Sequence, residues 1–402
     1  MESLIRLGID KFEIDWGKYL RDDDYRDLFP SKELKQIDSF AYDDFSESVV
    51  PTVYSGYTAS LSSVKARLDI LGFDLKSCEE EYNDSMDFYK SLGYSFDLPF
   101  QSFARALCSL DVASIDTIET EADGGSDFEL GEYVRDCVLK APIFMDFIGQ
   151  KDEMPFGIRL VSEFLENLNP RIIMRLLAEN PQNLDKTVVW MPSTELLSNL
   201  MLDKEPLADR IMIVTEGTSD LNILKRTIDT LYPDISDLFD YIDMEDNYPF
   251  TGNGSLKNFC IGLDRIKISN NVIVLFDNDS AGNESYSEVK DKCHCDNMVI
   301  LTLPDHSSFD NFCTVGPQGT TNENINGRAV AIECFLDLMV RDCTPRVRWK
   351  SYIEKSGQYQ GALESKERYQ KDFYKSDLID GSYNTEKLKY LINYIIDQWI
   401  NR

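Results

Sequence analysis

Two kinds of hydrophobic pattern divide this chain. Between about 58 and 180, apolar residues recur every three to four positions in several segments, which predicts amphipathic helices. From about 205 the pattern changes to short, fully apolar runs, each followed by a polar turn and a helical pattern. These runs are RIMIV (210–214), NVIVLF (271–276) and MVILTLP (298–304). Apolar strands that alternate with helices predict a parallel sheet covered by helices on both faces.

The patterns together predict an α/β domain combined with mainly helical regions. The predicted segments are a mixed α/β segment at 1–57, a helical domain at 58–200, an α/β domain at 205–305 and a helical extension at 306–402. Inside the helical domain we expect a loop at 121–132 and a further helix at 157–168.

Composition is typical of a protein with sizeable cores. The chain has 402 residues, enough for two or three domains, and 43% of them are hydrophobic. No apolar run approaches the roughly 18 residues of a membrane span, and charges interrupt the N-terminal segment where a signal peptide would be apolar. Nine scattered cysteines indicate reduced thiols, and the CHC triplet at 293–295 lacks a second ligand pair for zinc. We therefore expect a cytoplasmic protein without a membrane anchor.

The charge distribution gives mixed evidence on nucleic-acid binding. A net charge of −30 is unlike the basic footprint of a general nucleic-acid binder. The segment 341–375, however, has nine Lys or Arg and five Asp or Glu, a local charge of +4, with aromatic residues interleaved. It is either a surface for phosphates and bases, with Arg346, Arg348 and Lys350 on it, or a solvated helical face with buried aromatics.

Acidic residues follow two of the predicted parallel strands. Glu216 and Asp220 come after the first strand, and Asp277 and Asp279 come after the second. Asp220 alone is explained by a helix N-cap, and Asp279 alone by an Asx-turn. Ligands of such sheets bind where the strands end, so carboxylates from both turns are expected to converge there. Converging carboxylates repel unless a cation neutralises them, and oxygen ligands favour Mg²⁺ or Mn²⁺, as one or two ions.

Other residues are weaker candidates for the same site. Glu333 and Arg328 lie at the start of a predicted helix, where Glu333 can ligate a second metal and Arg328 can contact phosphate. A surface Arg and a helix-start Glu explain them equally well. The glycine-containing stretch TGNGSLKN can bring Lys257 near a phosphate, although such loops are common. Asp305 follows the third strand and is expected at the periphery.

The acidic turns resemble those of the Toprim domain, which is shared by topoisomerases, bacterial primases and nucleases of the overcoming-lysogenization-defect type. The resemblance rests on VTEGTSD, on an Asp-x-Asp about sixty residues later at the end of an apolar strand, and on the following SAG. It implies that Glu216 is the metal-site acid, Gly217 the conserved glycine, and Asp277 with Asp279 the paired aspartates. Asp220 matches an acidic position of the nuclease-like members.

The flanking segments resemble bacterial HEPN/Toprim-associated proteins. They are KFEIDWGKYLRDDDYRDLF, TVGPQGTTNENINGRAVAIECFLDL and RVRWKSYIEKSGQYQGALESKERY. The resemblance implies a HEPN-like helical domain and a role in immunity against phages and plasmids. Catalytic HEPN domains use an Arg followed by His, whereas the histidines here, His294 and His306, lie outside the N-terminal region. The resemblance therefore implies scaffolding, dimerisation or partner binding for that domain.

The sequence thus predicts a metal-dependent nuclease acting on DNA or RNA, with Glu216, Asp277 and Asp279 catalytic. Hydrolysis is favoured because no gate domain of a topoisomerase and no zinc module of a primase is visible. The alternative is a non-catalytic or partner-gated binding module. Expected partners are nucleic acid, a defence-system protein such as an ATPase or sensor, and further copies of the chain.

Overall fold

The computed structural model describes much of the chain in two compact units, 1–207 and 208–402. The described residues are 7–10, 12–15, 24–30, 34–43, 48–93, 98–114, 168–193, 196–198, 210–242, 253–339, 344–353 and 357–402. The predicted loop at 121–132 lies outside them, as does nearly all of the predicted helix at 157–168. In the described residues, no helix is both long and apolar enough to span a membrane.

The first unit contains an antiparallel five-stranded sheet and helices. Its strands, in the order β2-β1-β5-β4-β3, are β1 (Leu7–Ile9), β2 (Phe12–Asp15), β3 (Lys35–Asp43), β4 (Ser48–Ser60) and β5 (Thr187–Trp190). Its described helices are α1 (Leu61–Ile70), α2 (Leu75–Ser91), α3 (Phe100–Ser109) and α4 (Pro170–Leu177). Trp190 is buried, and its ring stacks on Tyr57 with centroids 5.3 Å apart.

The helical prediction for 58–200 is wrong at β5. This strand pairs with both β1 and β4, so it joins segments that are far apart in sequence. Val188 and Trp190 are buried while Thr187 is exposed, which is the two-residue alternation of a strand. The run is too short for its periodicity to stand out beside the long helical patterns around it.

The second unit contains the predicted parallel sheet, which is confirmed. Its order is β10-β8-β6-β7, with β6 (Ile211–Thr215), β7 (Phe239–Ile242), β8 (Asn271–Phe276) and β10 (Met298–Thr302). The connecting helices are α5 (Thr218–Leu231), α6 (Asn253–Ile266) and α7 (Ser280–Lys290). Val272, Val274 and Phe276 share a buried cluster with residues of α6 and α7. Ile273 and Leu275 are also buried and point to the opposite face, as the pleat requires.

The predicted helical extension at 306–402 is wrong over its first half. This part forms β11 (Phe312–Gly316), β12 (Gly319–Glu323), β13 (Ala329–Val330), β14 (Val347–Ile353) and β15 (Gln358–Leu363) before α8 (Lys366–Lys375) and α9 (Glu386–Ile400). Four of these strands make a sheet in the order β12-β11-β14-β15, and β13 pairs with β9 (Asn278–Asp279). Most of β14 and β12 is accessible to solvent, and charged and polar residues occupy many of their positions. These strands therefore lack the unbroken apolar run from which a buried strand is predicted.

Candidate metal centre

Glu216 lies where the central strand β6 of the parallel sheet ends. Its Oε1 accepts a hydrogen bond from the backbone N–H of Asp277, 3.0 Å away, so the ends of β6 and β8 are joined through this side chain. Burial raises the pKa of Glu216 to about 7, the Asp277 N–H opposes this rise, and the charges of Asp279 and Asp220 add to it. We call Glu216, Asp220, Asp277 and Asp279 the acidic edge.

Asp277 and Asp279 follow β8 and have different surroundings. Burial raises the pKa of Asp277 well above its ordinary value, and the neighbouring charges of Asp220 and Glu216 raise it further. Asp279 is the N-cap of α7, where its Oδ1 accepts the N–H groups of Ala281 and Gly282 at 3.0 and 2.8 Å. The expected Asx-type contact at Asp279 is therefore present, together with the acidic cluster.

Asp220 reaches the same place from the first turn of α5. Burial raises its pKa to about 7, and the negative charge of Glu333 adds to the effect while Lys366 opposes it. Its Oδ1 lies 3.4 Å from the hydroxyl of Ser219. The N-cap residue of α5 is Gly217, and Asp220 lies within the first turn of the helix. Asp220 is therefore not the N-cap.

A small residue is needed where α7 starts beside β8. A Cβ built on Gly282 would lie 2.2 Å from the carbonyl oxygen of Asp277. Any other residue would therefore push the helix away from the strand end. The small residues after the paired aspartates allow this close approach, which places the N-terminus of α7 beside the acidic edge.

A lysine and two glutamines donate to Asp279 of the acidic edge and to the neighbouring Glu333. Lys366 at the start of α8 donates to Oε2 of Glu333, and Gln370 donates to Oε1, both at 2.9 Å. Although burial lowers the pKa of Lys366, the charges of Glu333 and Asp277 raise it more, so the side chain stays protonated. Gln360 on β15 donates to Oδ2 of Asp279 at 2.9 Å.

Glu333 is nearby but committed to other partners. It lies on a short 3-10 helix (Ile332–Phe335) instead of the longer helix that the sequence predicts, and it is almost fully buried. Both of its carboxylate oxygens accept the bonds from Lys366 and Gln370. Through these bonds Glu333 holds Lys366 beside the acidic edge.

The donor chemistry of the acidic edge fits a hard divalent cation, because it offers carboxylate oxygens. The raised pKa values of Glu216 and Asp220 also fit a bound cation, because a cation would offset the burial and the repulsion that raise them. The side chains do not form a finished coordination shell. Within the described ranges, no three His, Cys, Asp or Glu side chains are placed to hold a metal ion together. Metal ligation would require some carboxylates to turn from their present contacts.

The predicted phosphate-binding residues have acidic neighbours of their own. Lys257 lies within α6, which begins at Asn253 inside the glycine-containing stretch. Its Nζ is 3.1 Å from Glu288. Arg328 stacks on Trp349 at 4.1 Å and pairs with Glu323 at 3.3 Å.

The basic residues in and just before β14 contact an acid or are exposed. Arg346 and Arg348 both contact Glu364, and Lys350 is exposed on the same strand. Among the residues that the structure describes, none of these side chains contacts the acidic edge. Asp305, expected at the periphery, accepts a bond from Asn278 at 2.7 Å.

The sequence did not point to Lys366, Gln360 or Gln370. Lys366 belongs to the basic segment, but nothing in that segment distinguishes it from its neighbours. Glutamines carry no charge pattern or motif. Their roles depend on β15 and α8 packing beside the parallel sheet, which is a tertiary feature.

Comparison with known families gives one match. Residues 1–209, slightly more than half of the chain, match the family model described as HEPN/Toprim N-terminal domain 1. No curated protein and no solved structure matches the chain. The match bears on the N-terminal half, so the resemblance of the acidic edge to the lysogenization-type Toprim nucleases stays a prediction.

Proposed function

We propose that this chain, which belongs to the HEPN/Toprim N-terminal domain 1 family, is a metal-dependent nuclease that hydrolyses phosphodiester bonds in DNA or RNA. The family indicates a nuclease-like or nucleic-acid-related function. The step from that general function to hydrolysis is supported by the acidic edge, where burial and mutual repulsion raise the pKa values of Glu216 and Asp220 to about 7.

The repelling carboxylates are the observation that carries the proposal. Like charges that lie close together destabilise the folded protein unless protons or a cation neutralise them. A structural role would be served by uncharged residues at the same positions. The four carboxylates lie where the parallel strands end, which is where ligands bind in this class of fold. Carboxylates at this place support a metal centre.

In this proposal Glu216, Asp277 and Asp279 hold Mg²⁺ or Mn²⁺, and Asp220 contributes to the same ion or a second one. A bound divalent ion supplies Lewis-acid charge at the phosphate and a water of lowered pKa. Lys366, fixed by Glu333, adds positive charge beside the carboxylates for the phosphate of the substrate. The cap contact of Asp279 with α7 keeps its carboxylate oriented.

We place this activity in defence against phages or plasmids, in the cytoplasm, with a sensor or ATPase as the partner that controls it. The support is the HEPN/Toprim family match and the resemblance of the flanking segments. Multiple copies of the chain are part of the same proposal. DNA is slightly favoured over RNA as the substrate.

The test is cleavage of plasmid DNA, single-stranded DNA and total RNA by the purified full-length chain in Mg²⁺, Mn²⁺ or EDTA. Asp277→Asn keeps the size of the side chain and is expected to abolish cleavage. Asp291→Asn, an exposed aspartate after α7, is the matched control and should cut normally. Cleavage that survives in EDTA or in Asp277→Asn would contradict the proposal.

A second candidate is a non-catalytic or partner-gated binding module. The observation in its favour is that the carboxylates of the described residues do not stand in a ready metal shell. Calorimetric titration with Mg²⁺ separates the two functions. Binding by the wild type and its loss in Asp277→Asn support the nuclease, while no heat in either protein supports the binding module.

A further inference from the structure

A groove with two cations opens beside the acidic edge, inside the second unit. It has a volume of about 770 Å³ and runs between one face of α5 and α8. Lys225 and Arg226 line it from α5, and Gln370 and Tyr374 line it from α8. Such a volume is typical of ligand sites.

The two cations of the groove contact aromatic rings and a carbonyl group among the described residues. In the described part of the chain, neither Lys225 nor Arg226 forms an ion pair with an acid. Lys225 lies over the ring of Tyr241 at 5.8 Å. Arg226 donates to the carbonyl of Ser376 at 2.8 Å and lies over the ring of Phe373 at 5.4 Å. Asp229 also lines the groove, so its charged side chains sum to about +1 in a chain of net charge −30.

The lining of the groove adjoins the acidic edge at one residue. Ser219 lines the groove, and its hydroxyl lies 3.4 Å from the Asp220 carboxylate. Gln370 lines the groove and also donates to Glu333. A molecule lying in the groove would therefore lie next to Ser219 and Gln370, which contact Asp220 and Glu333.

An aromatic ring is available beside the cations. Tyr374 is 41% exposed, and the Arg226 guanidinium lies 6.0 Å from its ring centroid. Cations that follow a backbone, combined with an exposed ring for a base, are the features with which proteins bind single strands. A base within a duplex is stacked on its neighbours and cannot lie on this ring.

We propose that the groove between α5 and α8 binds single-stranded nucleic acid, with phosphates at Lys225 and Arg226 and an unpaired base on Tyr374. The inference rests on the proposed nuclease function and adds the substrate class to it. The strand would lead from the groove towards the acidic edge past Ser219, which lines the groove and lies next to Asp220.

The test measures binding separately from cleavage. Fluorescence anisotropy with labelled oligothymidylate, oligouridylate and a duplex of the same length is measured on the full-length chain carrying Asp277→Asn, in Mg²⁺ and again in EDTA. Adding Lys225→Gln is expected to weaken single-strand binding about fivefold to tenfold and to reduce the slope of log Kd against log salt by about 0.7. Tyr374→Leu should weaken binding about tenfold, and Tyr374→Phe should restore it.

The chain offers a matched control for the lysine. Lys290 is exposed and lies over the ring of Tyr286 at 5.3 Å, as Lys225 lies over Tyr241, but it does not line the groove. Lys290→Gln should leave the affinity unchanged. Equal effects of Lys225→Gln and Lys290→Gln, tighter binding of the duplex, or no binding of any oligonucleotide overturn the groove proposal. Groove-dependent binding without any cleavage in the wild type overturns the nuclease function and leaves the groove standing.

Discussion

Glu333 and Lys366 form an ion pair beside the acidic edge, in which the Glu333 side chain is 4% exposed and the Lys366 side chain 32%. Removal of one partner would leave the other charge buried without compensation. We predict that Lys366→Met lowers the free energy of unfolding by about 3 kcal/mol, as measured by urea denaturation. Lys366→Met/Glu333→Gln should recover most of this loss. Equal stability of the single and double variants would contradict the pairing.

The raised pKa values of the acidic edge should make the stability of the protein depend on pH. With pKa values raised to about 7, Glu216 and Asp220 bind protons in the folded protein that the unfolded chain releases near 4.5 and 3.8. The stability from these protons is complete below those unfolded values and is lost as the pH rises through about 7. The metal-free protein should therefore become less stable from about pH 4 to about pH 7, by on the order of a few kcal/mol from this source.

Metal should reverse that loss at high pH. We expect Mg²⁺ to raise the Tm clearly at about pH 8 and much less at about pH 5.5, where the carboxyl groups hold protons instead. Asp277→Asn should raise the Tm of the metal-free protein at the higher pH and remove the response to Mg²⁺. A Mg²⁺ response that does not change with pH would show that the ion binds elsewhere.

At the scale of elements, the junction of β8 and α7 depends on Gly282. Gly282→Ala would place a Cβ 2.2 Å from a backbone oxygen, and we predict a loss of about 2–4 kcal/mol. Gly262→Ala is the control, since Gly262 lies within α6 and its added Cβ meets nothing within 4 Å. That substitution should stabilise the protein by about 0.5–1 kcal/mol through helix propensity. Thermal unfolding of both variants distinguishes local packing from a general intolerance of alanine.

Asp279 combines a structural and a proposed metal-binding role that substitutions can separate. Asp279→Asn keeps an oxygen for the N-terminus of α7, so the fold should be nearly as stable while metal-dependent cleavage is lost. Asp279→Ala also removes the cap and should cost about 1 kcal/mol more. Circular dichroism melts and cleavage assays on the two variants provide the comparison. Full cleavage by Asp279→Asn would remove this residue from the metal site.

The elements differ in how far the sequence could predict them. The parallel strands are visible because they are buried on both faces and read as unbroken apolar runs, and their ends place Glu216 and Asp277 together. The strands β14 and β15 are partly exposed to solvent. Charged residues such as Arg348 are therefore interleaved with aromatic residues such as Trp349, and this pattern is also typical of a charged helical face. The sequence therefore predicts the carboxylates of the candidate site but not Gln360, which lies on the misassigned strand β15, or Lys366, whose place depends on how α8 packs.

At the scale of the whole molecule, the distribution of histidines restricts where chemistry can occur. Both histidines lie in the second unit, at 294 and 306, so an Arg–His ribonuclease site is not available to the HEPN-like unit. We predict that Asp277→Asn abolishes RNA cleavage as completely as DNA cleavage, as measured on total RNA and on single-stranded DNA. Residual RNA cleavage by purified Asp277→Asn would reveal a second active centre.

The long sequence separations within the site have a consequence for synthesis. Asp279 receives the Gln360 amide from 81 residues further along the chain, and Glu333 receives Lys366 from 33 residues further along. At roughly 5–20 residues per second, about 4–16 s pass between the translation of Asp279 and that of Gln360. The nascent chain thus carries its clustered acids before the groups that surround them. For a protein proposed to cut nucleic acid, this order leaves the centre incomplete until Gln360 and Lys366 have been synthesised.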